Sequence, residues 1–236
     1  MDKFIIGKIF CSFLNCKSIV YNAYQKSEME VENLQPQSPE NLRLRTLDRS
    51  FFDRKTKEVA KNLLGKILVR RIEDKIIAGK IVEVEAYIGE HDPAAHASAG
   101  CTERTKVLYG EPGHAYVFKI RGYHCLNTVA EKVGNPGCVL IRAIEPLMGI
   151  EEMGKFRGPH IKRDIDLTNG PGKLCQAFDI DLNLYGADLT SDDSPLLICE
   201  GSNEELEIET TKRIGITKAA DWELRYTIKD NRFISK

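Results

Sequence analysis

A chain of 236 residues, 42% hydrophobic and 29% charged, is long enough for one large domain or two small ones, and apolar enough to pack a core. It contains no apolar run of about eighteen residues, so no transmembrane helix is expected, and its seven cysteines include no CxxC pair, which points to free thiols in a reducing compartment rather than a disulfide framework. The net charge of −1 conceals a polarised chain: residues 43–80 hold twelve Lys/Arg against five Asp/Glu, residues 174–210 hold ten Asp/Glu and no Lys or Arg, and residues 211–236 hold seven Lys/Arg against three Asp/Glu.

Residues 1–25 are apolar but interrupted by Lys3, Lys8 and Lys17, and they lack the unbroken apolar centre of a secretory signal. An amphipathic surface helix and a poorly ordered extension both fit, and the extension is the plainer reading. Residues 26–42, polar with Pro36 and Pro39, read as a linker. The expected organisation is an extension over residues 1–41 and one domain over residues 42–236.

Within the domain, Phe52, Val59, Ala60 and Leu63 fall at helical spacing, so residues 50–64 predict a helix capped by Ser50 or Asp53 and ended by Gly65. Lys66–Ile72 and Ile76–Tyr87 form β-rich runs around Glu73-Asp74-Lys75, a hairpin. From Ile81 to Tyr87 the side chains alternate, with Glu83, Glu85 and Tyr87 on one face and Val82, Val84 and Ala86 on the other. Residues 88–113 have no clean period and predict a long loop, often a functional one. Strands follow at Ala115–Ile120, His124–Val129 and Cys138–Ile144, the last two joined by a turn at Gly134–Gly137. Pro146 suits the first turn of a helix reaching Phe156, and Gly170-Pro171-Gly172 precedes a helix over Lys173–Phe178. Leu206–Ile216 and Tyr226–Phe233 predict the final strands.

Several residues in this pattern carry chemistry. Glu85 is either a solvated strand carboxylate or a partly buried general base that activates water. Glu83 or Asp92 would complete a two-carboxylate glycoside mechanism, though Glu83 equally fits a surface position. His91, Asp92, His96 and Cys101 match no standard zinc spacing, so a metal-dependent hydrolase is the weakest reading. Arg104 and Lys106 lie in the long loop, where cations are either solvated or phosphate contacts. Gly170–Lys173 is a glycine-rich helix start whose N–H groups can hold a phosphate, without the spacing of a nucleotide-binding P-loop. Tyr87, Tyr116, Phe118 and Tyr123 are strand aromatics, either core or stacking groups; Tyr87 shares a face with Glu85, which tips it toward a site.

The run IVEVEAYIGEHDPAAHA resembles the signature of the alkyladenine (3-methyladenine) DNA glycosylase family. FFDRKTKEVAKNLLGKILV, TERTKVLYGEPGHAYVF, GCVLIRAIEP, LTNGPGKLCQAFDID and RIGITKAADWELRY extend the resemblance over roughly residues 44–236. It implies a mixed α/β single domain with a curved, mostly antiparallel sheet, flanking helices and a protruding β-hairpin for the DNA minor groove. It implies Glu85 as general base and Arg142 as the arginine that helps hold the attacking water. Tyr87, His96 and Phe118 then surround the flipped base, and Asn127 lines the pocket and disfavours guanine. Arg104, Gly172 and Lys173 fall near the DNA backbone. Two positions depart from the family pattern. Phe118 stands where tyrosine is usual. Arg121, not tyrosine, precedes Gly122, and the segment to Asn127 is one residue short, so Arg121 or Tyr123 is the intercalating wedge.

The expected activity is hydrolysis of the N-glycosidic bond of alkylated or deaminated purines after base flipping, as a monomer on double-stranded DNA. No lysine falls at a nucleophile position, so strand nicking through a Schiff base is not expected. No metal, cofactor or membrane partner is implied, and an intracellular place is expected, cytoplasmic and nucleoid-associated in a bacterium. A non-catalytic damaged-DNA-binding module is the rival class, against which Glu85 and Arg142 argue.

Overall fold

The computed structural model describes residues 45–202 and 204–235, and the expected extension over residues 1–41 lies outside them. The fold is mixed α/β and is built on strand β2 (Lys75–Tyr87), which pairs with β1 (Ile67–Ile72), β5 (Gly137–Met148) and β8 (Arg225–Ile228). With β3 (Ala115–Ile120), β4 (Tyr123–Ala130), β6 (Leu196–Cys199) and β7 (Ile208–Thr211) they form one eight-stranded sheet, antiparallel at every pairing. The strand order is β3-β4-β5-β2-β1-β6, with β8 on β2 and β7 on β8. Register shifts at Ala78/Gly79, Ile81/Glu83 and Glu83/Val84 mark bulges in the β2–β5 ladder, and such bulges bend a sheet.

One sheet face carries the main core. Val84, Ala86, Val117, Leu126, Val139 and Ile141 pack there with Val59, Ala60 and Leu63 of helix α2 (Thr56–Leu63) and Leu174, Cys175 and Ala177 of helix α4 (Pro171–Ala177). Each fully buried large side chain contributes about 1.5–3 kcal/mol relative to exposure. Among the described residues no helix is long and apolar enough to cross a membrane.

The expected single helix over residues 50–64 is two pieces, α1 (Arg49–Phe52) and α2. The break at residues 53–55 has a tertiary cause. Glu131, from the β4–β5 turn, accepts from both the backbone N–H (3.0 Å) and the hydroxyl (2.6 Å) of Thr56, so a distant carboxylate caps the start of α2. Gly65 ends α2 as expected, at φ +82°.

The expected helix start at Pro146 is a correction: β5 runs on to Met148, and helix α3 covers Ile150–Arg157. β4 pairs with β5 only over Gly137–Leu140, so at Pro146 one edge of β5 faces no strand and the missing N–H breaks no ladder. Strict alternation also fails at Val82. Val82 is the extra residue of the bulge and packs with Ala143 and Phe233, while Ile81 and Val84 both reach the main core. β6 was not expected, and the strands predicted over Leu206–Ile216 and Tyr226–Phe233 are shorter: Ile208–Thr211 and Arg225–Ile228.

Candidate active site

The cross-strand register places the site on the sheet face opposite the main core. Tyr116 faces Asn127, Asn127 faces Leu140, and Leu140 faces Glu85 across four strands. Two residues along each strand lie Phe118, Cys125, Arg142, Cys138 and Tyr87, and the period of two keeps them on that face. All of these except Glu85, with Ala94 and His96 from the long loop and Ile214-Gly215-Ile216 after β7, line a cavity of about 380 Å³, and Glu85 lies directly behind its Tyr87 and Arg142 walls. That is a ligand-sized volume.

Glu85 is fully buried. Its Oε1 accepts from the backbone N–H of Ile214 (2.7 Å) and lies 3.2 Å from the Arg142 guanidinium; its Oε2 accepts from the Tyr87 hydroxyl at 2.9 Å. Two hydrogen bonds and one ion pair thus hold the carboxylate, which keeps acceptor capacity to spare. Burial, then the adjacent Glu85 charge, holds the Tyr87 phenol well above its usual pKa, so it stays a donor.

Arg142 joins both glutamates. It donates through Nε to Glu83 Oε1 (2.8 Å) and through Nη2 to Ser235 Oγ (3.1 Å). Burial disfavours its charge, but Glu85 and Glu83 outweigh that and hold its pKa above the ordinary value. Glu83 is not a surface residue. It is fully buried and accepts from Arg142, Arg225 (2.7 Å), Ser235 N–H (2.5 Å) and Ser235 Oγ (2.7 Å). Burial raises the cost of its charge, yet Arg142, the Ser235 N–H and Arg225 bring its pKa below the usual carboxylate range.

His96 closes another wall. Its ring meets Phe118 edge-on with centroids 4.5 Å apart, and its Nδ1 lies 2.8 Å from the Tyr116 hydroxyl. Arg104 reaches its Nε2 at 3.4 Å and lies 5.2 Å over the Phe118 ring. An arginine only donates, so Nε2 accepts, Nδ1 carries the hydrogen and donates to Tyr116, and the Tyr116 hydroxyl keeps its own hydrogen for the cavity. Burial, then the Arg104 charge, lowers the His96 pKa to about 4, which leaves the ring neutral near pH 7. Asn127 is locked by donation to the Tyr116 carbonyl (3.1 Å) and by the Cys138 thiol at 3.8 Å.

A family model described as methylpurine-DNA glycosylase matches residues 50–232. The chain belongs to the methylpurine-DNA glycosylase family. It is therefore a DNA glycosylase, a hydrolase of base-excision repair. A relative from Alkaliphilus oremlandii is 47% identical over 201 residues, covering 80% of this chain and 98% of its own length. One from Methanocella arvoryzae is 48% identical over 180 residues, covering 76% and 88%, and one from Clostridium perfringens is 46% identical over 202 residues, covering 80% and 98%. All three are named "putative 3-methyladenine DNA glycosylase".

The glycosylase presents its remaining sequence candidates around the cavity mouth. Arg121 (φ +49°) and Gly122 (φ +88°) form the two-residue tip of the β3–β4 hairpin, between the pair Ile120 and Tyr123. Positive φ at both central residues is the type I′ geometry that matches strand twist. Arg121 is exposed and lines the cavity; Tyr123 is 52% exposed. Tyr123 lies so close to Gly172 that a Cβ there would fall 2.9 Å from the tyrosine Cβ, so a side chain at that position would force one of the two to shift. Lys173 donates to Asn169 (2.8 Å) and opens onto a second, basic cavity of about 670 Å³ with Arg157, His160 and Arg163. Tyr123, Arg142, Pro171 and Gly172 line both cavities.

Of the metal reading, no group of three or more His, Cys, Asp or Glu suited to an ion occurs among the described residues. Asp92 instead makes a buried bidentate pair with Arg213 (2.5 and 2.9 Å). Sequence reasoning missed Arg213, Ile214, Arg225 and Ser235, along with Arg157, His160 and Arg163. The motif RIGI held the first two, but nothing local marks a backbone N–H as the donor to a carboxylate far away in sequence.

Proposed function

We propose that this glycosylase hydrolyses the N-glycosidic bond of alkylated and deaminated purines in double-stranded DNA, 3-methyladenine foremost, with hypoxanthine and ethenoadenine as further substrates. The observation that carries the reading is the juxtaposition of Glu85, Arg142 and Tyr87 at an aromatic cavity of about 380 Å³. The reaction needs the base out of the stack, which costs a few kcal/mol. Stacking on Tyr87, His96 and Phe118 repays part of that, at about 1–3 kcal/mol per base.

Glu85 takes the proton from a water attacking C1′, using its spare acceptor capacity, and Arg142 holds both. The transition state is oxocarbenium-like, so the buried carboxylate charge also stabilises it. An N-alkylated purine is cationic, hence a good leaving group and a good partner for ring faces. A neutral His96 adds no repulsion to that cation. Asn127, fixed in orientation, disfavours normal guanine. Arg104, Gly172 and Lys173 meet the DNA backbone, and Arg121 at the exposed hairpin tip fills the space that the base leaves in the minor groove. Tyr123, held against Gly172, is the wall between the two cavities.

The catalytic domain is taken as residues 42–236, acting as a monomer in the compartment that holds the DNA, the cytoplasm in a bacterial cell. The test is incubation with duplexes containing one 3-methyladenine, hypoxanthine or 1,N6-ethenoadenine, without added metal, followed by alkali. Alkali-labile abasic sites at the lesion are expected. Binding without release of any of the three bases would establish the non-catalytic module instead.

A further inference from the structure

The glycosylase carries a buried ion pair that no role above explains. Asp92 lies in the long loop after β2, and Arg213 two residues beyond β7; both side chains are fully buried. Two structural tasks meet at this pair. On the loop side, the Asp92 carboxylate accepts from the backbone N–H groups of Ile88 (3.3 Å) and Ala94 (3.0 Å), which shapes the turn that follows Tyr87. On the other side, the Arg213 guanidinium donates to the Ala86 carbonyl (3.0 Å) and lies 4.6 Å over the Tyr87 ring. The next residue, Ile214, then points its N–H at Glu85 Oε1, 2.7 Å away.

We propose that Arg213 and Asp92 are positioning residues for base release: their pair straps the segment after β7 onto β2, so that the Ile214 N–H fixes the Glu85 carboxylate while the guanidinium backs the Tyr87 ring. The proposal rests on the reading of Glu85 as the general base. The geometry distinguishes a strap from a merely stabilising pair. β7 ends at Thr211, whereas an extended strand was expected to Ile216; the chain leaves the sheet where Arg213 turns inward. Ile214, Gly215 and Ile216, the residues that follow, form part of the cavity wall. The segment is therefore held at the site by one side chain and acts there through one backbone donor. A hydrogen bond to a charged acceptor strengthens that acceptor's orientation, and losing one costs roughly 10- to 100-fold in a rate that depends on it.

Two variants separate positioning from stability. The double variant Asp92→Asn/Arg213→Met removes both charges together, so no lone buried charge remains. Ile214→Pro deletes the donor N–H, at the cost of the Ile214 side chain, and retains both charged partners of the ion pair. Each is made in the full chain and again with Glu85→Gln, and single-turnover release from methylated duplex, duplex affinity and melting temperature are measured. The expected result is release slowed roughly 10- to 100-fold in both, affinity within about threefold, and less than about threefold further loss in the Glu85→Gln background, because residues acting through one group are not additive. Melting above the assay temperature with an unchanged release rate overturns the proposal, as does a loss that multiplies fully onto Glu85→Gln. Should the double variant not fold, Ile214→Pro decides by the same criteria, and Arg213→Lys, which keeps charge but not the bidentate fork, is expected to recover only part of the rate. If Glu85→Gln is itself fully active, the reading of the base fails, and that outcome is distinct from failure of the strap.

Discussion

Glu83 and Glu85 stand two residues apart on one strand, both fully buried, yet the structure gives them different work, and Glu83→Gln exposes the difference. Glu83 Oε1 accepts from Arg142, Arg225 and Ser235 Oγ, and Oε2 accepts from the Ser235 N–H. An amide in this place keeps one oxygen for the three donors but turns an NH₂ group against the Ser235 N–H. It also removes the charge shared by two guanidiniums. Breaking a buried pair costs about 3–5 kcal/mol. Arg142 keeps Glu85 at 3.2 Å, so the lower end, about 3 kcal/mol, is expected. At about 2–4 °C per kcal/mol for a domain of this size, the melting temperature at pH 7 should fall by about 6–12 °C. The pH dependence follows from the depressed pKa of Glu83. Its contribution is complete above the unfolded value of about 4.3 and is lost as pH falls through the folded value, so the gap between wild type and variant closes in acid. Thermal melts across pH check both points. A difference under about 2 °C at pH 7 would refute the ledger of donors, and so would a gap that persists unchanged into strong acid.

Three further outcomes are expected. His96, with its pKa near 4 against an unfolded value of about 6.5, binds its proton more readily when unfolded; stability should therefore fall as pH drops from 6.5 toward 4, and His96→Gln should flatten that slope in chemical denaturation. Gly172→Ala places a methyl group 2.9 Å from the Tyr123 Cβ; overpacking of about 1–3 kcal/mol should outweigh the gain in helix propensity of about 1 kcal/mol, and a melting temperature at or above wild type would contradict this. Arg121→Ala should weaken binding to damaged duplex and shallow its dependence on salt by about one unit of log–log slope; unchanged affinity would move the wedge to Tyr123.

Legibility in the sequence followed the range of the interactions. The β1–β2 hairpin, β3, β4, the long loop and the helix start at Gly170 were readable because period and turn residues are local. So was the common face of Glu83, Glu85 and Tyr87, which survives the bulge because Val82 absorbs the extra residue before it. What failed was set by distant chain. The α1–α2 break depends on Glu131, the strand through Pro146 on an edge that β4 leaves open, and β7 ends two residues before Arg213, whose partner Asp92 lies 121 positions away. β6, four apolar residues in an acidic stretch, has no period long enough to read. The burial of Glu83 required Arg225 and Ser235, more than a hundred positions downstream, and no pattern around Glu83 signals them. The resemblance named Glu85, Arg142, Tyr87, His96, Phe118 and Asn127; the fold lines one cavity with the last five and sets Glu85 behind it, against Arg142 and Tyr87.

The central claim is that the Glu85 carboxylate activates the water that cleaves the glycosidic bond, and Glu85→Gln tests it most directly. The substitution keeps the shape and the acceptor for the Ile214 N–H while removing the charge. In single-turnover reactions on duplex carrying 3-methyladenine, the variant should bind the damaged duplex about as tightly as wild type and release the base about 10²- to 10⁴-fold more slowly. Release at a rate within about twofold of wild type would contradict the account.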